Sequence, residues 1–368
     1  MRIGIDATSL CRKLTGVEYY TLNLLKNILK IDGQNEYIIF FQKEIHPELK
    51  QFEGRAKFLL CPVNNRVFCE QVWLPYIIWK ESPDVSHFPA FPPGLLTFKK
   101  QLITLFDAVI WKHPETLSLK AKLYLKPLII LATKRASQIL TVSENSKKDI
   151  ATLSRIPLEK IENTGMAIDD IFRPISNKTL LQRVRKKYDL NTKFILSVCS
   201  LEPRKNIINL LKAYEYLRMR YPGITHKLVL TGRKAWGKNP ISKKIKELKL
   251  KNDVIMTGYV SAEDLVCIYN LAEIFVFPSI YEGFGLPPLE AFACGTAVVS
   301  SHASSLAEVL GNAALLVNPY DYKEMAEAVN ILISDPGLRR RFIERGQERV
   351  KQFSWENVAK KTLKIYQS

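Results

Sequence analysis

Short apolar runs alternate with longer segments of helical periodicity along the chain, and this alternation predicts parallel strands joined by helices. The strands predicted in the first half are 2–5, 37–41, 57–60, 84–87, 102–105, 138–142 and 161–164. The helices predicted between them are 16–30, 71–80, 119–136 and 145–153, the last with Ser143 as its N-cap. The first half is therefore expected to form one α/β unit.

A second series follows a break at 167–174, where two aspartates and a proline interrupt the periodicity. Its predicted strands are 193–198, 226–230, 254–256, 274–277, 297–300 and 314–317, and its predicted helices are 178–188, 206–221, 241–248, 262–271 and 288–293. Three more helices, 323–333, 337–351 and 355–365, end the chain, the last with Ser354 as its N-cap. The pattern predicts an α/β fold in which two domains, 1–172 and 173–352, face a central cleft. The segment 353–368 is expected to pack back on the first domain.

Length and composition fit a folded protein with two hydrophobic cores, because the chain has 368 residues, of which 47% are hydrophobic and 24% charged. Its six cysteines form no C-x-x-C pair and no metal-ligand spacing with the five histidines, so we expect no metal site and a reducing, cytoplasmic environment. The N-terminal apolar run lacks the features of a signal peptide, and no window approaches the roughly 20 apolar residues that span a bilayer.

The net charge of +18 is unevenly distributed, with a large excess of lysine and arginine between Lys112 and Lys148. The negative partners that this excess predicts are an anionic membrane surface, a phosphorylated substrate or nucleic acid, and a solvated basic surface is the alternative. Nucleic acid is not expected, because aromatic residues do not interleave with the basic run and no recognition motif is present.

The stretch that says most about chemistry is 277–295, FPSIYEGFGLPPLEAFACG. It runs from a buried strand through a loop with two glycines into a helix that begins with prolines. Backbone N–H groups at a helix start attract phosphate, and glycine lets the backbone approach a ligand closely. Glu282 and Glu290 bracket this loop and can hydrogen-bond hydroxyls on either side of a bound diphosphate. An ordinary strand-to-helix turn is the alternative.

The second stretch is 197–206, SVCSLEPRKN, in which a strand is followed by a loop that brings Arg204 and Lys205 to a helix start. Departure of a nucleoside diphosphate concentrates negative charge, which adjacent cations can stabilise without a metal ion. The chain contains no Asp-x-Asp motif, which metal-dependent sugar transferases commonly carry. A basic loop that faces solvent is the alternative.

The first of these stretches resembles the Glu-x7-Glu motif of the retaining glycosyltransferases of family 4, also called glycosyl transferases group 1. That resemblance implies the GT-B fold, with two Rossmann-like α/β/α domains. It also implies that Glu282 contacts the donor sugar and that Glu290 binds the ribose. The residues whose backbone amides it places against sugar and phosphates are Phe284, Gly285 and Leu286.

The second stretch resembles the Glu-Pro-Arg-Lys-Asn segment of the same family, which implies that Arg204 and Lys205 bind the diphosphate. Some relatives carry Gly-Arg where this chain has Cys199 and Ser200, so one arginine of those relatives is absent here.

Three further matches are less specific. Gly16, which opens the first helix, resembles the family's glycine loop near the donor phosphates and the acceptor, with a simple helix-entry glycine as the alternative. Gly232 ends a strand where relatives meet the nucleotide, and Val260 follows a strand where relatives hold the base through backbone groups. Both of these could be ordinary strand ends.

The chain departs from the family after the strand 102–105, where relatives carry His-Asp and this chain has Phe106 and Asp107. The histidine of the relatives helps to hold the donor sugar, and a phenyl ring can neither donate nor accept that hydrogen bond. Asp107 is the predicted substitute, and His113 is a second candidate that better fits a structural turn. The alternative function is a catalytically weak or inactive subunit that binds sugar nucleotides.

The resemblance implies a retaining, metal-independent glycosyltransferase without a cofactor that acts in surface polysaccharide, including lipopolysaccharide, assembly. The motif forms resemble those of bacterial mannosyltransferases, so GDP-mannose is the first expected donor and a UDP-sugar the second. The expected acceptor is a glycan or a polyprenyl-diphosphate-linked glycan, held mostly by the first domain. The expected location is the cytoplasm, with the basic stretch docking at the inner face of the cell membrane.

Overall fold

The computed structural model describes residues 1–11, 16–97, 100–119, 121–198, 202–232 and 240–368 and divides them into two compact units. Unit 1 comprises Met1–Ala167 together with Ser354–Ser368, and unit 2 comprises Ile168–Phe353. The sequence pattern placed the corresponding boundaries at 172/173 and 352/353. The acceptor and donor roles that it gave to the two domains stay predictions.

Unit 1 is built on a seven-stranded parallel sheet with the order β3-β2-β1-β4-β5-β6-β7. Its strands are β1 (Arg2–Asp6), β2 (Glu36–Gln42), β3 (Ala56–Cys61), β4 (Val85–Phe88), β5 (Gln101–Thr104), β6 (Gln138–Thr141) and β7 (Ile161–Asn163). The central strands are buried, which explains why they appear in the sequence as nearly continuous apolar runs. The order of strands reverses between β1 and β4.

The helices of unit 1 are α1 (Gly16–Ile31), α2 (Arg66–Phe68), α3 (Leu74–Glu81), α4 (Val109–Lys112), α5 (Lys126–Arg135) and α6 (Glu144–Ser154). The chain-terminal helix, which we number α15 (Trp355–Gln367), packs against α1 of the same unit. His87 on β4 fixes it, because the imidazole Nδ1 lies 2.7 Å from the Tyr366 hydroxyl. Burial lowers the pKa of His87 to about 3, so this contact uses a neutral ring.

Two π turns, Cys69–Trp73 and Ala121–Leu125, directly precede the proline-containing helices α3 and α5. Proline lacks an N–H and clashes with the carbonyl four residues earlier, and a wider turn relieves that clash. The predicted helix 71–80 is therefore part of a longer helical segment, 66–81. The predicted helix 119–136 likewise contains a π turn, 121–125, that continues directly into α5.

Unit 2 contains a six-stranded parallel sheet with the order β10-β9-β8-β11-β12-β13. Its strands are β8 (Phe194–Val198), β9 (Lys227–Thr231), β10 (Val254–Gly258), β11 (Ile274–Phe277), β12 (Ala297–Ser301) and β13 (Leu315–Val317). The order reverses between β8 and β11, which pair directly through Ile274 and Ile195.

The helices of unit 2 are α7 (Lys178–Lys187), α8 (Ile207–Arg220), α9 (Pro240–Glu247), α10 (Ala262–Leu271), α11 (Leu286–Ala293), α12 (Leu306–Leu310), α13 (Tyr322–Ser334) and α14 (Pro336–Val350). One face of the sheet packs on α8 and α13 through a continuous cluster of buried, mainly aliphatic side chains. The sequence pattern missed α4 and α12, because helices of four or five residues are too short to show a 3.6-residue period.

Across the described ranges, no helix is both long enough and apolar enough to pass through a lipid bilayer.

We expect Gly346→Ala to destabilise unit 2, because a Cβ at Gly346 in α14 would lie 2.8 Å from Cγ and 3.0 Å from Cε1 of the buried Phe292 ring on α11. Overpacking of this kind costs about 1–3 kcal/mol, more than the roughly 0.5–1 kcal/mol that alanine gains over glycine in a helix. Gly223→Ala, where a Cβ meets nothing within 4 Å, is the matched control. Thermal unfolding of both variants checks the prediction, and an unchanged midpoint for Gly346→Ala would contradict it.

Candidate functional site

Two loops meet where the strand order of unit 2 reverses, at the carboxyl ends of β8 and β11. The loop after β8 contains the short turn Pro203–Lys205, and the loop 278–285 leads from β11 into α11. The backbone joins them, since the N–H of Ile280 donates to the carbonyl of Arg204 at 2.8 Å. Open α/β sheets bind ligands in the crevice outside such a reversal, because the flanking loops diverge there. This edge of the sheet is therefore the candidate ligand site of unit 2.

The site is organised around the carboxylate of Glu282, which is 8% exposed. Its oxygens accept from Lys205 Nζ at 2.5 Å and from Arg204 Nη1 at 3.1 Å. The hydroxyl of Ser279 adds a third hydrogen bond, 2.6 Å from Oε1. Burial alone would raise the pKa of Glu282, but Lys205, Arg204 and the hydrogen bonds outweigh it and hold the pKa below its usual range. Glu282 is therefore ionised, and it contacts two cations, one of which, Arg204, also pairs with the carboxylate of Glu202.

Further contacts fix the two cations. Arg204 donates through Nε to Glu202 at 3.0 Å and through Nη1 to the carbonyl of Tyr281 at 3.1 Å. The Lys205 ammonium lies 5.4 Å from the centre of the Phe277 ring, within cation–π range. Arg204 and Lys205 are both largely buried. The predicted residues Arg204, Lys205 and Glu282 are thus brought into one contact cluster, while their roles toward a ligand stay predictions.

Sequence reasoning missed two serines, Ser304 and Ser305, that hold the loop backbone. Ser304 Oγ accepts from the N–H of Glu282 at 3.2 Å. The single hydroxyl hydrogen of Ser305 is shared between the carbonyls of Glu282 and Phe284, which lie 2.9 and 3.0 Å from Oγ. Ser304 has a φ of 58°, a left-handed conformation that turns its hydroxyl toward the loop. The sequence offered a cue in the serine-rich segment 300–305, but no spacing linked it to Glu282.

The start of α11 depends on Gly285, which has a φ of 103°. A Cβ there would lie 2.5 Å from Leu306 Cδ2, so only glycine fits this position without displacing its neighbour. Pro287 and Pro288 have no N–H, so the donors of this helix start come from Leu286 and the preceding loop residues Phe284 and Gly285. The helix dipole adds a positive potential at this end. The segment can thus bind an anion through its backbone.

Glu290 on α11 has a different environment, since it is half-buried and its Oε2 accepts from the Tyr269 hydroxyl at 2.8 Å. Burial raises the pKa of Glu290 to about 7, the hydrogen bond from Tyr269 opposes the shift, and the nearby carboxylate of Asp169 adds to it. Near neutral pH this side chain is partly protonated, so it can both donate a hydrogen bond to a hydroxyl and accept one.

The other donor-binding positions predicted in unit 2 lie at the same edge of the sheet. Gly232 follows β9, and its N–H donates to the carbonyl of Gly258 at 2.9 Å. Val260 follows β10 and is 7% exposed. The Cys199–Ser200 pair lies outside the described residues. The nucleotide contacts expected of Gly232 and Val260 stay predictions.

The predicted positions in unit 1 are Gly16 and Asp107. Gly16 is the exposed first residue of α1, and a Cβ there would meet nothing within 4 Å. Asp107 lies two residues before α4, and its Oδ1 accepts from the N–H of Val109 at 2.9 Å. The neighbouring Phe106 ring packs edge-on against Tyr20 at 5.0 Å between centroids. Phe106 therefore has a packing role in unit 1, and substitution of Asp107 for the family histidine stays a prediction.

His113, the second candidate substitute, lies with Nδ1 3.1 Å from Glu115 Oε1 beside the turn Pro114–Thr116. In the portion of the chain that the structure describes, no group of three or more His, Cys, Asp or Glu side chains could hold a metal ion.

We expect the contribution of Glu290 to the stability of the wild type to fall as pH rises from about 4.5 to about 7. The folded state binds this proton more tightly than the unfolded chain, so deprotonation in that window costs folding free energy. Glu290→Gln removes the ionisation but keeps an oxygen that can accept from Tyr269. The difference in thermal midpoint between Glu290→Gln and the wild type should therefore grow in favour of the variant across this window. Above it, the difference should stay constant.

Glu263→Gln, an exposed glutamate in the first turn of α10, is the matched control and should leave the pH profile unchanged. Parallel profiles for the wild type and Glu290→Gln would contradict the assigned pKa.

Comparison with known proteins agrees with this architecture. A family model described as glycosyl transferases group 1 matches residues 181–349. The chain is 35% identical over 375 residues to O-antigen chain mannosyltransferase B of Escherichia coli, with 96% of each protein covered. It is 31% identical to a serotype-specific mannosyltransferase of Escherichia coli over 239 residues, 61% of this chain and 28% of that longer protein.

Among solved structures, HepE of Anabaena in complex with UDP and glucose superposes with a TM-score of 0.76 at 17% identity, covering 100% of this chain and 99% of that one. The structural likeness shows the fold, and the sequence likeness to a relative of nearly the same length shows the family. The chain is therefore a glycosyltransferase of the glycosyl transferases group 1 family, with the GT-B fold.

Proposed function

We propose that unit 2 holds a nucleotide diphosphate sugar at the loops after β8 and β11, and that its glycosyl group is transferred without a metal ion and with retention of configuration. The observation that carries this proposal is the buried cluster of Arg204, Lys205 and Glu282 at the strand-order reversal. Departure of the diphosphate concentrates charge on its oxygens as the bond from the anomeric carbon to the bridging oxygen breaks. Fixed cations in a site with little water stabilise that charge with little reorganisation.

The cluster suits a diphosphate because two cations already lie side by side, and only one of the two carboxylates that contact them, Glu282, is buried. The other, Glu202, contacts Arg204 from a side chain that is 42% exposed, so solvent screens its charge. The Arg204 guanidinium has five N–H donors, so it can hold Glu282 and still bind a phosphate oxygen. The amides of Phe284, Gly285 and Leu286 and the dipole of α11 offer a second set of positive groups. Together these groups could do the electrostatic work that a divalent ion does in other transferases.

The sugar hydroxyls would then meet Glu282, whose ionised oxygens accept hydrogen bonds, and Glu290 would meet the ribose. A partly protonated Glu290 can satisfy a diol as donor and acceptor together. Mannose is the proposed sugar, and hexosyl transfer the reaction, because the relative that covers nearly the whole chain is named an O-antigen chain mannosyltransferase. GDP-mannose is the first proposed donor, and a UDP-sugar is the second because the HepE complex contains UDP.

The proposed acceptor is a glycan on a polyprenyl diphosphate, in O-antigen assembly of lipopolysaccharide. Such an acceptor is presented at a membrane, which is why we propose that a cytoplasmic protein docks peripherally through the basic stretch between Lys112 and Lys148.

We expect Lys205→Ala to lower kcat for transfer from GDP-mannose by about 10²–10³-fold, because it removes a fixed charge beside the leaving diphosphate. Lys243→Ala, on an exposed side of α9, is the matched control and should leave kcat unchanged.

A thermal-shift screen should first show a raised midpoint with GDP-mannose, and the transfer rate should not change on addition of EDTA. No shift with any nucleotide sugar would sink the proposal, and inactivation by EDTA would refute its metal independence.

Phe106 favours a second candidate, a family member that holds the sugar nucleotide with little or no transfer. If the chain transfers sugar as it stands, the wild type turns over, Glu282→Ala abolishes that turnover, and Phe106→His is not needed for it. Transfer assays and donor-binding isotherms on these three proteins decide the question. A wild type that binds donor tightly and gains turnover only in Phe106→His would establish the second candidate.

A further inference from the structure

The helical segment 66–81 of unit 1 is apolar on two sides. Its inner side, including Cys69, Trp73 and Ile77, packs into the core of unit 1. Its outer side carries Phe68, Val72, Tyr76 and Trp79, which are 38%, 52%, 55% and 70% exposed. The spacing of these four residues, four, four and three positions apart, places them in one stripe along the helical surface. A helix in water normally has a polar outer side, so this stripe indicates a contact surface.

Two other segments extend the same surface. Leu95 and Leu96 are 49% and 63% exposed, and Leu119 and Leu123 are 71% and 73% exposed. The side chain of Gln71 joins all three segments, because its Oε1 accepts from the N–H of Leu95 at 3.1 Å. Its Nε2 donates to the hydroxyl of Tyr124, also at 3.1 Å. We call the described residues of these three segments, 66–81, 94–97, 119 and 121–125, the apolar face of unit 1.

The charges that this face presents to solvent are positive. Lys80 and Lys122 are exposed. The acidic residues of the same described segments are Glu70 and Glu81, whose side chains are only 10% and 11% exposed. Each of these carboxylates is paired with a cation, Glu70 with Arg66 and Glu81 with Lys57. The face therefore combines large apolar side chains with outward lysines and has no exposed carboxylate to oppose a negative partner.

We propose that the apolar face of unit 1 docks on the surface of a lipid bilayer that contains anionic head groups. Tryptophan and tyrosine are the residues that favour the membrane interface, and lysine can keep its ammonium among the head groups while its stem lies deeper. A second copy of this chain fits less well, because self-association would bring lysines against lysines in a protein of net charge +18.

This inference deepens the peripheral docking proposed above and rests on that part of the proposed function. It differs in naming the face and in assigning binding to apolar insertion as well as charge. The basic stretch alone predicts adsorption that salt abolishes. The apolar face predicts a component that remains at high salt, because burial of apolar surface is not screened.

Co-sedimentation with phosphatidylcholine vesicles, with and without phosphatidylglycerol, tests this inference on the full chain. We expect the wild type to bind the anionic vesicles more strongly, by about fivefold for each lysine that reaches the surface. The double variant Trp79→Ser with Leu123→Ser should weaken binding by on the order of tenfold per residue. Lys80→Glu with Lys122→Glu should remove most of the preference for anionic vesicles.

The matched control is Met219→Ser with Tyr320→Ser, which replaces two side chains of unit 2 that are 76% and 66% exposed. This variant should bind vesicles like the wild type. An equal loss of binding in the control, or no binding of the wild type to anionic vesicles at low salt, would overturn the proposal. Equal binding of the wild type to both kinds of vesicle would overturn its charge component.

Light scattering on the same proteins separates a membrane surface from self-association. A wild-type dimer that the Trp79→Ser, Leu123→Ser variant dissociates would instead make this face an interface between copies. Donor hydrolysis without vesicles separates docking from transfer, because these surface substitutions should leave it unchanged. Vesicle binding without any transfer would refute the proposed reaction but support the docking surface. Transfer without vesicle binding would refute the docking surface but support the proposed reaction.

Discussion

The buried carboxylate of Glu282 is the constraint on which the candidate site depends. Removing an ion from water costs several kcal/mol, and only close partners of opposite charge recover that cost. Lys205 at 2.5 Å and Arg204 at 3.1 Å supply them, from a loop that follows a different strand. The two loops must therefore pack together even without a ligand, and the serines at 304 and 305 hold the backbone in the geometry that this packing requires. A site assembled in this way is preorganised, because its geometry does not depend on a bound anion.

The two glutamates of the loop and helix after β11 are eight positions apart and have opposite electrostatic environments. Glu282 is stabilised as an anion by two cations, whereas burial and the nearby Asp169 favour the neutral form of Glu290. Pairs of acids whose surroundings separate their pKa values are suited to different tasks. Here one side chain is a permanent acceptor within a charge cluster, and the other can donate or accept near neutral pH.

Unit 1 shows how a single element can serve both folding and contact. The inner side of the segment 66–81 completes the core, and its outer stripe leaves Tyr76 and Trp79 in solvent. The π turn before Pro75 and the one before Pro127 occur in two of the three segments that form the apolar face. Local helix irregularity and an unusual surface thus coincide, and the prolines account for the irregularity.

The sequence by itself determined the parallel sheets, most of the helices and the residues that bear charge at 204, 205, 282 and 290, because periodicity and residue type are local properties. It did not show α4 and α12, which are too short to be periodic, or the outward stripe of 66–81, which depends on which side the core covers. Only the tertiary structure placed β8 beside β11 and so brought Lys205 to Glu282 across 77 positions of sequence. The opposite pKa shifts of the two glutamates were decided there too, because burial and Coulomb energy depend on distance in space.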